Sequence, residues 1–149
     1  MLLKRAWIEQ HIPHQGRMCL LDEVIDWNNA HIRCRTASHR APDNPLRSQN
    51  RLGTACGIEY AAQAMALHDA LAGSAAAGRP AAGFLASVRG VRQFVLRLDD
   101  IDSDLICEAV LVAGDGLTAL YEFALRDGER SLLTGRATVV LDANQPLRI

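Results

Sequence analysis

One helical stretch constrains this 149-residue chain more than any other feature. Residues 54–71, TACGIEYAAQAMALHDAL, have high helix propensity, and Thr54 is a plausible N-cap. From Ile58 to Leu67 every residue is apolar or small except Glu59, Tyr60 and Gln63. A helix that is apolar nearly all round must be covered on most of its sides. Its alanines also let other backbone approach closely.

The rest of the chain supplies a cover. HIRCRTAS alternates, with Ile32, Cys34 and Thr36 on one face and His31, Arg33 and Arg35 on the other, which predicts a strand with one wet face. After the helix comes a Gly/Pro-punctuated loop, LAGSAAAGRPAAG, at 71–83. Four strand-length runs follow: FLASVRGVRQFVLRL, DLICEAVLVAG, LTALYEFALRDG and RSLLTGRATVVLD. AGDG and RDGE read as hairpin turns between the later runs, so the runs should form an antiparallel meander. Near the N-terminus, RAWIEQHI should be a short helix stopped by Pro13, and MCLLDEVIDW is either a strand or a helical turn. The expectation is an α+β domain over residues 1–149, with one antiparallel sheet wrapped around one long central helix.

Composition narrows the function classes. Apolar residues make up 49% and charged residues 22%, as in ordinary globular proteins. A formal net charge of -1 argues against a dominant attraction to nucleic acid. No run has the apolar length of a membrane span, and MLLKRAWIEQHIPH lacks the apolar region of a secretory signal, so a cytoplasmic protein is expected. Cys19, Cys34, Cys56 and Cys107 form no CxxC or zinc-type spacing and read as scattered reduced thiols, with no metal site expected.

Several motifs, in order, carry a family likeness. HIPHQGRMCLLDEVIDW resembles the opening motif of hotdog-fold 3-hydroxyacyl-[acyl carrier protein] dehydratases, a proline-histidine pair before a leucine-rich run ending in an acidic residue. GIEYAAQAMALH resembles their central helix, where a catalytic carboxylate is followed four residues later by Gln. GFLASVRGVRQFVLRLDDIDSDL and LLTGRATVVL resemble the strand after the helix and the closing strand, with Leu98-Asp99-Asp100 where better-known members have Gly-Asp. More narrowly, NPLR followed by IEYAAQAMALH is similar to the branch found in aryl polyene and related pigment pathways.

The resemblance implies a hotdog fold that removes water from 3-hydroxyacyl thioesters to give trans-2-enoyl thioesters. The substrate would hang on the pantetheine arm of an acyl carrier protein, and no cofactor is implied. It also implies a dimer, homodimeric or with a second hotdog subunit, in which His39 of one chain faces Glu59 of the other. Glu59 is the candidate catalytic carboxylate. Gln63 and Gly53 are the candidate substrate-binding residues, Gln63 being four residues along the same helix face as Glu59 and able to orient it.

One departure stands out. The GHFPG loop that carries the histidine in better-known members is absent, and the corresponding stretch reads DNPLRSQNRLG. His39, in SHRAPDNPLR, is the nearest histidine and the candidate partner of Glu59; either a longer loop returns it to place or the site is altered. His14 reads as structural, His68 as a satisfied polar group at the far end of the helix, and His11 and His31 as surface. Arg47, Arg51, Arg89, Arg92 and Arg97 could line a docking face for an acidic carrier or could pair locally.

The chemistry suits these residue types. Dehydration needs a base for the C2 proton, an acid for the departing hydroxyl and donors for the thioester oxygen. Imidazole, a carboxyl in an apolar setting and the N–H groups of a helix start supply them. An acidic residue in a first helical turn is, however, common for dipole reasons alone. Two other readings compete: a non-catalytic hotdog subunit that binds acyl chains or stabilises a dehydratase, and an acyl thioesterase using the same carboxylate on water.

Overall fold

The structure, a computed structural model, describes residues 3–74 and 84–140. Of the loop expected at 71–83, residues 75–83 lie outside this range. The chain opens with a two-residue strand β1 (Leu3–Lys4) and helix α1 (Arg5–His11). The helix stops where Pro13 cannot continue it, and Ile8 is its buried anchor. The ambiguous run MCLLDEVIDW is resolved as a buried approach, Cys19 to Leu21, feeding strand β2 (Glu23–Asn28). Strand β3 (His31–Thr36) alternates as its sequence requires, with Ile32, Cys34 and Thr36 buried.

The long helix is three conformations in series. A 3-10 turn, Thr54–Cys56, leads into helix α2 (Gly57–His68), and a π-helical turn, Asp69–Ser74, ends it. Thr54 is not a cap: its hydroxyl donates to the Val95 carbonyl at 2.8 Å. A buried hydroxyl beside an unpaired carbonyl gains more from that tertiary bond than from a helix end that the 3-10 turn has already closed.

Four strands follow, β4 (Phe84–Gln93), β5 (Leu105–Gly114), β6 (Thr118–Asp127) and β7 (Arg130–Val140). All pairings are antiparallel, in the order β1-β2-β3-β5-β6-β7-β4. Tight turns join β5, β6 and β7, with Gly116 at φ +89° and Gly128 at φ +59°. The expected four-strand meander holds only for these three. Both edges of β5 are taken by β3 and β6, so β4 instead lies against the far side of β7, Phe84 opposite Val140. The connection over residues 94–104 is long enough to make that crossing.

The sheet's inner face packs on α2, chiefly through β3, β5 and β6. Tyr60, Ala61, Gln63, Ala64, Met65, Leu67 and His68 are all buried. The approach is tightest at Gly57, where an added Cβ would lie 2.7 Å from Leu133 Cδ2 and 2.9 Å from Leu125 Cδ2. At the other end His68 donates from Nε2 to the Asn28 carbonyl at 2.9 Å and accepts at Nδ1 from the Tyr121 hydroxyl at 2.7 Å. It is the satisfied polar group its position suggested. All four cysteines are free thiols, and burial pushes Cys107 up to about 12. A sheet of seven antiparallel strands around one central helix is the hotdog fold.

Candidate active site

Glu59 lies in the first turn of α2, and its side chain is 37% exposed in the protomer. The imidazole it meets is that of His14, with Nε2 3.1 Å from Oε1. His14 was read as structural, bonded to backbone at the helix-strand junction. The structure corrects this: its Nε2 faces the carboxylate, and its buried Nδ1 has no hydrogen-bond partner among the described residues.

His14 is held from both sides along the chain. Before it, Ile12 is buried and its N–H closes α1 on the Ile8 carbonyl at 3.2 Å. After it, Gln15 donates to the Glu9 carbonyl at 2.6 Å, and Arg5 donates to the Gly16 carbonyl at 2.8 Å. Farther on, fully buried Gln63 accepts from the Leu20 N–H at 2.9 Å and donates to the Met18 carbonyl at 2.7 Å. One helical turn beyond the carboxylate, the Gln63 amide thus fixes the segment that follows His14.

Tyr60 fastens the other flank. Its hydroxyl donates to Ser38 Oγ at 2.8 Å and accepts from Asn44 Nδ2 at 3.0 Å, while Ser38 Oγ donates to the Leu20 carbonyl at 2.6 Å. Burial pushes the Tyr60 phenol up, which keeps it a donor. Asn44, of the NPLR motif, also donates to the Ser38 carbonyl at 2.9 Å. Two segments distant in sequence are thus tied to α2 in the turn that follows Glu59.

His39, the candidate partner of Glu59, sits inside the protomer. It lies in a 3-10 turn, Ser38–Arg40, is fully buried, and donates from Nε2 to the Ile101 carbonyl at 3.0 Å. Burial holds its pKa below the usual imidazole range. Within the protomer the ring ties its turn to the connection between β4 and β5. Between His39 and the helix, residues 43–53 make an excursion with a hairpin closed by Ser48 and Arg51 and with Gln49 and Asn50 both at positive φ, which takes up the extra length of the loop.

Gly53 stands just before the Thr54–Cys56 turn and bridges to Arg97. A Cβ there would meet nothing within 4 Å, so the helix start is open on that side. Asp99 secures it by accepting from the Leu52 N–H at 2.9 Å and from Arg97 Nε at 3.0 Å. Arg97 thus pairs locally. Arg51, Arg89 and Arg92 are exposed, and half-buried Arg47 donates to the Asn50 and His39 carbonyls.

His14 is the residue that sequence reasoning misplaced. A signal was present: the Pro13-His14 pair lies in the opening motif.

Comparison with known proteins agrees with the fold. One chain of similar structure, from the dehydratase heterocomplex ApeI:P of Xenorhabdus doucetiae, has a TM-score of 0.81 and 24% identity, over 92% of this chain and 91% of that one. An HP0420 homologue from Helicobacter felis matches with a TM-score of 0.64 and 11% identity, over 95% and 90%. A mutant thioesterase PA1618 from Pseudomonas aeruginosa matches with a TM-score of 0.56 and 10% identity, over 79% and 78%. A search of curated proteins returns no match. Among the described residues no helix is long and apolar enough to cross a membrane. The ApeP-like family model, described as ApeP dehydratase, matches residues 6–147. With nearly its whole length matched and the hotdog architecture in place, this chain belongs to the ApeP-like dehydratase family.

Proposed function

We propose that the chain removes water from 3-hydroxyacyl thioesters held on an acyl carrier protein, giving trans-2-enoyl thioesters in fatty-acid-like or aryl polyene synthesis in the cytoplasm. The observation that carries this reading is Glu59 itself: a part-exposed carboxylate beside an imidazole, at the start of a buried helix, in a chain of a dehydratase family. A carboxyl so placed can exchange protons with a bound thioester, and the N–H groups at the helix start favour the charge that develops on the thioester oxygen. The open space at Gly53 gives the thioester room beside them. Gln63 serves the substrate indirectly by holding the Met18–Leu20 segment. His39, enclosed against Ile101, is assigned the holding of its turn.

Strand β4 supports a partner subunit. It lies at one end of the sheet order, and exposed Leu85, Phe94 and Leu96 lie on it or just beyond it. An unpaired apolar edge of this kind suits edge-to-edge pairing with a second hotdog sheet. A second reading, a non-catalytic subunit that stabilises a dehydratase, is favoured by the absent GHFPG loop and by the heterocomplex named for the Xenorhabdus structure.

The test is turnover of a 3-hydroxyacyl carrier protein by the full chain, with the enoyl product weighed by mass spectrometry, alone and with a hotdog partner. Loss of product with Glu59→Gln supports the dehydratase. Product that needs the partner and ignores Glu59→Gln supports the subunit reading. Release of free carrier thiol would mark a thioesterase.

A further inference from the structure

We propose that His14 is the imidazole that works with Glu59, supplied by the same protomer. The inference rests on the dehydratase reading and names the second proton-handling group within it.

Three observations carry it. First, His14 Nε2 lies 3.1 Å from Glu59 Oε1, within hydrogen-bond reach. Second, the Nε2 partner separates half-buried His14 from the buried histidines His39 and His68. His68 has both nitrogens filled, and His39, whose Nδ1 is as unpartnered as that of His14, turns its Nε2 to a backbone carbonyl. His14 alone of the three turns its Nε2 to a side chain, and that side chain is the candidate catalytic carboxylate itself. Third, its segment is immobilised on both sides while the ring stays 20% exposed, so a substrate can reach a positioned group.

The pair balances the reaction with one shared proton. Glu59 as carboxylate takes the C2 proton of the substrate. The C2–H electron pair becomes the C2=C3 π bond, and the C3–O bond breaks with its pair on oxygen. The His14 imidazolium gives that oxygen its Nε2 proton, and water leaves. The enzyme then holds a neutral imidazole and a protonated carboxyl, and one proton transfer across their contact restores the starting pair. No second chain is needed for this cycle, unlike the split pair that the family resemblance implied.

The experiment follows hydration of a crotonyl-pantetheine thioester by the full chain, with its hotdog partner where activity requires one. His14→Gln should lower kcat about 100-fold or more with little change in KM. Added imidazole should restore part of the activity of His14→Ala, which a ring held only for packing would not allow. In the unsubstituted protein the His14 ring resonances should shift on adding crotonyl-pantetheine, and those of His68 should not. This last measurement stands if the variants fold poorly. Near-normal kcat in His14→Gln, no rescue by imidazole, or an unmoved His14 resonance would overturn the inference and leave the dehydratase reading intact. If the unsubstituted protein hydrates nothing, both fall.

Discussion

Gln63→Glu would keep one of two buried hydrogen bonds and reverse the other. A carboxylate can still accept from the Leu20 N–H, but its second oxygen would face the Met18 carbonyl where an N–H now donates over 2.7 Å. Two acceptors there leave a carbonyl unmet and a charge buried, which costs at least about 1–3 kcal/mol and more if the charge stays dry. The variant has a cheaper route: it can bind a proton, and the new O–H replaces the lost N–H. Protonating an ordinary carboxyl at pH 7 spans roughly 2.7 pH units at about 1.4 kcal/mol each, so the loss is capped near 4 kcal/mol. The sign follows. The introduced carboxyl has a folded pKa raised above its unfolded value, so the penalty is full above the folded pKa and vanishes below the unfolded one, about 4.3. Urea unfolding of variant and unsubstituted protein, side by side at pH 7, 6 and 5, should show a deficit of about 2–4 kcal/mol at pH 7 that shrinks on acidification. Taking the difference cancels the background titration of the histidines. A deficit independent of pH, or one below about 0.5 kcal/mol at pH 7, would falsify the clamp as described.

Three further perturbations test other parts of the account. Gly57→Ala gains about 1 kcal/mol of helix propensity but presses on two buried leucines at a cost of about 1–3 kcal/mol, so a net loss of about 1 kcal/mol is expected in thermal melts. A more stable variant would mean that Leu125 and Leu133 repack freely. Burial holds His39 and His68 below the usual imidazole range, so their contribution to stability is full above about pH 6.5 and declines as pH falls through that value. Melting temperature should drop between pH 7.5 and 5.5, and His68→Gln should flatten that slope while lowering stability overall. Arg97 holds the Asp99 carboxyl below the usual carboxylate range, so its contribution is present above about pH 3.8 and lost as pH falls through the depressed value. Asp99→Asn should therefore cost about 2 kcal/mol near neutrality, with the gap from the unsubstituted protein closing in acid.

Much of the fold was legible because its signals are local. Alternation in HIRCRT, the apolar body of α2, Pro13 after α1 and the glycines of the β5–β6 and β6–β7 turns each act within a few residues. Two features were hidden because they depend on distant chain. Thr54 looks like a cap until the Val95 carbonyl is beside it. The place of β4 follows from both edges of β5 being occupied, which no window of sequence records. The site divides in the same way. Glu59 stands out as a carboxylate in an apolar helix. Proximity along the chain points to His39, whereas the histidine in contact comes from the N-terminal segment that Gln63 holds against α2.

The position of α2 between β3 and β5 also governs the order in which the molecule can assemble. Thr36 pairs with Leu105, so that ladder joins segments far apart in the chain, with α2 lying between them in sequence. The β5–β6–β7 hairpins need no such closure and can form early, because the entropy of joining nearby segments is small. The contact between His14 and Glu59 requires the N-terminal segment to reach a helix that is already seated. In a refolding experiment, recovery of that contact should lag behind recovery of strand signal, so it reports the end of assembly rather than its beginning.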